Sequence, residues 1–116
     1  MTRSRIFALA AILVLTAACG GKSNTQLAST AMVIQVSIID HQVDQIQSVY
    51  KVTKDRDVRI ELYSTTADEV HVQGYEKTAA VAANNFVTVD FIADKTGRFD
   101  VEMQRSHLKV FQLQVA

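Results

Sequence analysis

The sequence contains no proline, four glycines and one cysteine in 116 residues. Without proline, neither stiffened turns nor strand-edge protection comes from that residue, so charged outward side chains are expected to guard any sheet edges. With Cys19 as the sole cysteine, no disulfide can form within the chain. The leading apolar run, Ile6 to Leu15, is too short for a transmembrane helix. No charge of one sign dominates: twelve Lys and Arg balance twelve Asp and Glu, and Arg3 and Arg5 lie in the leading segment. The remainder carries ten basic against twelve acidic residues, which excludes the basic surplus of a nucleic-acid or anionic-membrane face. There is no serine nucleophile motif, no glycine-rich phosphate loop and no CxxC pair. An enzyme is not expected.

What is present describes one small globular domain. Nearly half the residues are apolar (48%) and only 21% are charged, too few and too balanced for a disordered chain. Met1–Ala18 has an Arg-containing start, the apolar run and then the small residues Thr16, Ala17 and Ala18, the outline of a secretory signal. Leu15-Thr16-Ala17-Ala18-Cys19 resembles the lipobox of bacterial lipoproteins, with Thr16 a less common choice at its position. That resemblance implies cleavage before Cys19, lipidation of Cys19 and an essentially permanent membrane anchor, since each buried methylene contributes about 0.8 kcal/mol. The plainer reading is a free or buried thiol behind an ordinary signal peptide. Gly20, rather than Asp, follows the cysteine, which implies delivery to the outer membrane facing the periplasm in a two-membrane host and exposure at the cell exterior in a single-membrane one. Residues 19 to 30 form the lipidated cysteine and a polar tether with a reach of about 17 Å.

From residue 31 to residue 116 the period is two. Met32, Ile34, Val36 and Ile38 share one strand face, and Val58, Ile60, Leu62 and Ser64 alternate with Arg59, Glu61 and Tyr63. Residues 40 to 48 read as a loop, residues 49 to 53 as a short strand, and residues 76 to 81 as a weaker edge strand. Asn84-Asn85 marks a tight turn, because Asn tolerates positive φ. Val87, Val89, Phe91 and Ala93 form an inward set, answered by Phe99, Val101 and Met103. The apolar parity changes between Val110 and Phe111, which predicts a β-bulge. Seven to eight short strands with no helical period predict an all-β fold, an antiparallel sandwich.

Glu69-Val70-His71-Val72-Gln73-Gly74-Tyr75, the run Phe91-Ile92-Ala93-Asp94-Lys95-Thr96-Gly97-Arg98-Phe99-Asp100-Val101-Glu102 and the closing Leu113-Gln114-Val115 together resemble the cupredoxin family. The resemblance is strongest to cupredoxin-like domains of bacterial secreted and lipid-anchored proteins, including those associated with iron uptake. It implies a Greek-key β-sandwich, with Gly97 bending the corner between sheets and Phe99 plugging the core. It also implies where copper ligands would stand. The family's first histidine falls on His71 and its thiolate near Met103, while Gln73 stands where some relatives carry a second histidine. Asp55-Arg56 and Asn84-Asn85 occupy positions where relatives often have glycine. A blue-copper centre requires a thiolate, and residues 31 to 116 contain none, so a type 1 site is excluded.

What the resemblance leaves is a set of His71, Met103 and His107, the last at the start of the final strand. On one reading these imidazoles and thioether bind copper or another soft cation. On the plainer one Met103 is core and the histidines lie at the surface, as His41 does. Asp68-Glu69 and Asp100 with Glu102 read as solvated strand faces rather than as an acid–base pair. Three functions stay open: an envelope binding or accessory module without type 1 copper, a copper-binding or other metal-handling protein using His71 and His107, or a structural lipoprotein that meets a protein partner. The expected associations are the membrane through lipid, a metal ion and an envelope protein, with no nucleic acid.

Overall fold

In β1 (Met32–Ile39) the side chains of Ile34, Val36 and Ile38 are buried while Val33, Gln35 and Ile39 face solvent, as strict alternation requires. The same logic builds β4 (Asp57–Ser64), where Val58, Ile60, Leu62 and Ser64 are all nearly inaccessible. A computed structural model describes residues 31–44 and 47–116. The expected leader, lipidated Cys19 and tether lie outside the described residues.

The other strands are β2 (Gln42–Asp44), β3 (Val49–Val52), β5 (Asp68–Val72), β6 (Lys77–Val81), β7 (Asn85–Ile92), β8 (Gly97–Met103) and β9 (Leu108–Val115). They form two sheets, ordered β2-β1-β4-β7 and β3-β9-β8-β5-β6. The chain crosses between sheets at β2–β3, β3–β4, β4–β5, β6–β7 and β7–β8, and the inward faces enclose one core. Phe111, Ile34, Ile60, Leu62, Met103 and Leu113 are among its most completely buried side chains.

Three features sharpen the sequence reading. The sandwich is mixed rather than wholly antiparallel: β1 runs parallel to β4, and β3 parallel to β9. Alternation sets which face is buried but carries no strand direction, so both pairings were invisible to it. A ninth strand, β2, lies in the stretch read as a loop. It pairs with β1 through a two-residue turn, Asp40-His41, in which both residues have positive φ (51° and 66°). That geometry belongs to the tight hairpin turns usually written Asn-Gly, and Asp-His is an uncommon way to write one. The bulge is where the parity break puts it: Val101 pairs with Phe111 but Glu102 with Lys109, so Val110 is the extra residue and both Val110 and Phe111 face inward.

Candidate functional site

The strands that carry the candidate ligands do share a sheet, in the order β9-β8-β5. Within it, His71 pairs with Glu102, while Met103 pairs with Val70. Side chains alternate along each strand, so His71 stands on the outer face and Met103 points into the core, where it is 1% exposed. His107 lies just ahead of β9, in the turn of residues 104–107, and is exposed with φ of 58°. Strand parity therefore separates the thioether from the His71 imidazole. Among the described residues no group of three or more His, Cys, Asp or Glu is arranged to hold a metal ion. The residues present do not fit a type 1 copper centre, because the thiolate is missing and the side chain nearest its expected place is core packing.

His71 itself is unusual. Its side chain is 16% exposed, Nε2 lies 3.5 Å from the Glu76 carboxylate, and the buried Nδ1 has no hydrogen-bond partner among the described residues. Its neighbours on that face are tied to one another: Gln73 donates to Glu102 at 2.8 Å, and Gln112 donates to Asp100 at 3.0 Å. The hydrogen bond from Gln112, aided by Lys109, holds the Asp100 carboxyl below the usual range against a smaller opposing effect of burial.

The residue that the sequence reading placed wrongly is Asp68. It begins β5 on the inward face and is 5% exposed, so it is not part of a solvated strand face. Its carboxylate accepts bonds from the N–H groups of Glu69 (2.7 Å), Arg105 (2.8 Å) and Ser106 (3.2 Å) and from the Ser106 hydroxyl (2.8 Å). Burial alone would push its carboxyl up, but these donors together hold it below its ordinary value. Asp68 thus clamps the β8–β9 turn next to Met103 and His107. The signal was its parity, shared with Val70 and Val72, which marks a buried carboxylate in need of partners.

At the opposite end of β5 lies the corner that the cupredoxin resemblance implied. Gly97 has φ of 136°, and the half-buried Phe99 packs edge-on against Tyr75 with ring centroids 4.8 Å apart. Tyr75 also contacts Phe91, and its hydroxyl both donates to the Lys95 carbonyl (2.7 Å) and accepts from the Lys95 N–H (3.1 Å). The Lys95 ammonium reaches back to the Gly74 carbonyl at 2.7 Å. Burial is the main cause that raises the Tyr75 phenol above its usual value, with Asp94 and Asp55 adding to it. Gly74, at φ of 86°, lies so close that a Cβ there would collide with the Phe99 ring. Beside this corner an open groove of about 760 Å³, lined by Val33, Arg59, Tyr75, Asp90, Ile92 and Lys95 among others, runs over the outer face of the four-stranded sheet. Its central ion pair, Arg59 with Asp90, is bidentate at 2.8 and 3.1 Å, lowering the Asp90 carboxyl and raising the Arg59 guanidinium.

No family model matches the sequence, and no curated protein matches it. Solved structures do resemble the fold. A copper-binding protein determined by NMR in its apo form aligns with a TM-score of 0.60 and 12% identity, over 75% of this chain and 89% of that one. A blue copper oxidase from Nitrosomonas europaea aligns with a TM-score of 0.62 and 9% identity, over 81% of this chain and 47% of its own. Fet3p, a multicopper oxidase that functions in iron import, aligns with a TM-score of 0.59 and 12% identity, over 72% of this chain and 31% of its own. The chain thus spans about a third to a half of these two oxidases. At such identities the likeness is one of fold, and the chain is a cupredoxin-like β-sandwich.

Proposed function

We propose that the protein is a lipid-anchored envelope module that uses the cupredoxin-like sandwich as a binding or accessory scaffold without type 1 copper chemistry. One observation carries this reading. Where the resemblance places the copper thiolate, the chain has Met103 sealed in the core, followed by a turn of residues 104–107 that Asp68 holds closed. In this reading the segment serves as a structural hairpin rather than as a ligand loop. The lipobox-like stretch ending in Cys19 supplies the anchor in this proposal, and Gly20 supports delivery beyond the inner membrane in a two-membrane host. The test is fractionation of the full chain beside Cys19→Ser. The wild type is expected in the membrane fraction carrying acyl mass on Cys19, and the variant outside it. Wild-type protein released as a soluble, unmodified chain would sink the anchor.

A second reading, weak binding of copper or a similar ion at His71 with help from His107, draws on the Nδ1 of His71, which has no hydrogen-bond partner among the described residues, and on the likeness to a copper-binding protein. It predicts binding that disappears in His71→Ala.

A further inference from the structure

Five large apolar side chains are exposed among the described residues, and four of them share one face. Val33 and Ile39 of β1 and Phe86 and Ile92 of β7 stand on the outer side of the β2-β1-β4-β7 sheet, at positions alternating with its buried ones. A sandwich ordinarily gives such positions to polar residues, yet Phe86 is 75% exposed and Ile92 53%. Acidic charge gathers on the same face. Residues 31–116 hold nine Lys and Arg against twelve Asp and Glu. The outward positions of these four strands hold Asp44, Asp57, Glu61 and Asp90 but one cation, Arg59, which Asp90 already engages. The whole acidic excess of residues 31–116 therefore lies here.

The register sets these groups in rows across the sheet: Val33, Arg59 and Asp90, then Gln35, Glu61 and Thr88, then Ser37, Tyr63 and Phe86. Two depressions lie over them. The groove of about 760 Å³ covers the first row and Ile92, and a second of about 400 Å³, lined by Gln35, Ser37, Glu61, Phe86 and Thr88 among others, covers the remaining rows. Glu61 borders both, so they adjoin as one trough. At about 3.3 Å per residue it runs about 20 Å along β7 from Ile92 to Phe86. Its wall carries Lys77 and Lys95 only at the Ile92 end, and the Lys95 ammonium is turned onto the Gly74 carbonyl. At the Phe86 end Glu61 is the one charged lining group among the described residues.

We infer that this trough docks a protein partner through a segment that presents Lys or Arg beside apolar side chains. The Phe86 ring rests on Tyr63 with centroids 4.9 Å apart and leaves its other side open. A cation of the partner lies over that open side and meets the Glu61 carboxylate, while apolar side chains cover Val33 and Ile92. Strand addition is not the mode, because β6 packs alongside β7 and the Ile92 carbonyl already accepts from the Asp94 N–H. A second copy does not fit, since two such faces bring acid against acid, and the same sign turns away an anionic lipid surface. The inference rests on the scaffold reading of the domain but not on its anchor.

The test titrates the full chain in zwitterionic-lipid nanodiscs with a fluorescent, photo-crosslinkable peptide of leucine and lysine. A helix rises about 1.5 Å per residue, so about 14 residues match the trough. Empty nanodiscs give the lipid blank, and the same peptide with glutamate for lysine is the charge control. The variants are Phe86→Ser, Glu61→Gln and, at an exposed apolar position of the other sheet, Val49→Ser. The wild type and Val49→Ser are expected to bind alike, saturably and more weakly as salt rises, with crosslinks on β1, β4 and β7. Phe86→Ser should weaken binding by about tenfold or more and Glu61→Gln by about threefold or more, with unchanged circular dichroism. No binding above the blank, equal binding of the glutamate peptide, or an affinity that neither Phe86→Ser nor Glu61→Gln changes overturns the inference. Crosslinks confined to another surface overturn it and leave the scaffold reading standing. A chain that stays out of the nanodiscs refutes the anchor alone and is titrated free, whereas copper binding lost in His71→Ala refutes the scaffold reading itself.

Discussion

Asp68→Asn isolates what closes the β8–β9 turn. The wild-type carboxylate offers two oxygens to four donors, Glu69, Arg105 and Ser106 through N–H and Ser106 through its hydroxyl. The amide keeps one acceptor, loses the charge and turns an NH2 group toward donors. Hydrogen bonds to charged groups contribute about 1.5–3 kcal/mol each, but Arg105 and Ser106 are exposed and regain water when released. The net cost should be about 2–3 kcal/mol, or a fall of roughly 10–20 °C in Tm for a domain of this size. The pH dependence has a definite sign. The folded carboxyl lies below its ordinary 3.8, so its stabilising contribution is complete above that value. It shrinks as pH falls below 3.8 and vanishes beneath the folded value. Urea unfolding of both proteins at neutral pH and through the acid range should show the wild-type advantage narrowing toward zero at the acid end. An advantage of equal size at both ends, or none at neutral pH, would refute the claim that an ionised Asp68 holds the turn.

Other substitutions probe the rest of the frame. Gly74→Ala combines positive φ with a collision against Phe99 and should cost about 2–4 kcal/mol by chemical denaturation. Tyr75→Phe removes the hydroxyl that bridges Lys95 N–H and C=O, for an expected loss of about 1–2 kcal/mol in the same assay. Phe111→Ala empties a fully buried site beside Tyr50 and should cost about 3–5 kcal/mol, enough to leave little folded protein at 37 °C by circular dichroism. Asp90→Asn breaks an ion pair whose partners are about half exposed and should change stability by less than about 1 kcal/mol.

Much of this was legible in the sequence because β-structure writes burial directly into alternation. The inward sets of β1, β4 and β8 and the break between Val110 and Phe111 follow from a period of two and its single fault, whereas the Gly97–Phe99 corner was implied by the cupredoxin resemblance. Strand direction was not legible, since a face reads the same either way along, so the β1–β4 and β3–β9 parallel pairs emerged only in three dimensions. The β2 hairpin hid behind Asp-His, a pair that rarely marks a tight turn. At the candidate site the cupredoxin resemblance implied neighbouring strands for His71, Met103 and His107; His71 and Met103 do lie on the adjacent strands β5 and β8, but His107 falls in the turn ahead of β9, and parity already set His71 and Met103 on opposite faces. Asp68 was misread because its neighbour Glu69 suggested a solvated acidic pair, whereas its shared parity with Val70 and Val72 places it inside.

The central claim is that the fold persists here without a copper centre. Calorimetric titration of the full chain with Cu²⁺ and Cu⁺ tests it most directly, with unfolding monitored in parallel and His71→Ala and His107→Ala alongside. The expected result is no thiolate-to-copper absorption band and no stabilisation by either ion at about a hundredfold excess over the chain, whereas an ion whose Kd lay about a hundredfold below its free concentration would add about 2.7 kcal/mol. Stoichiometric micromolar binding that disappears in His71→Ala would contradict it and show that the sandwich retains a working metal site.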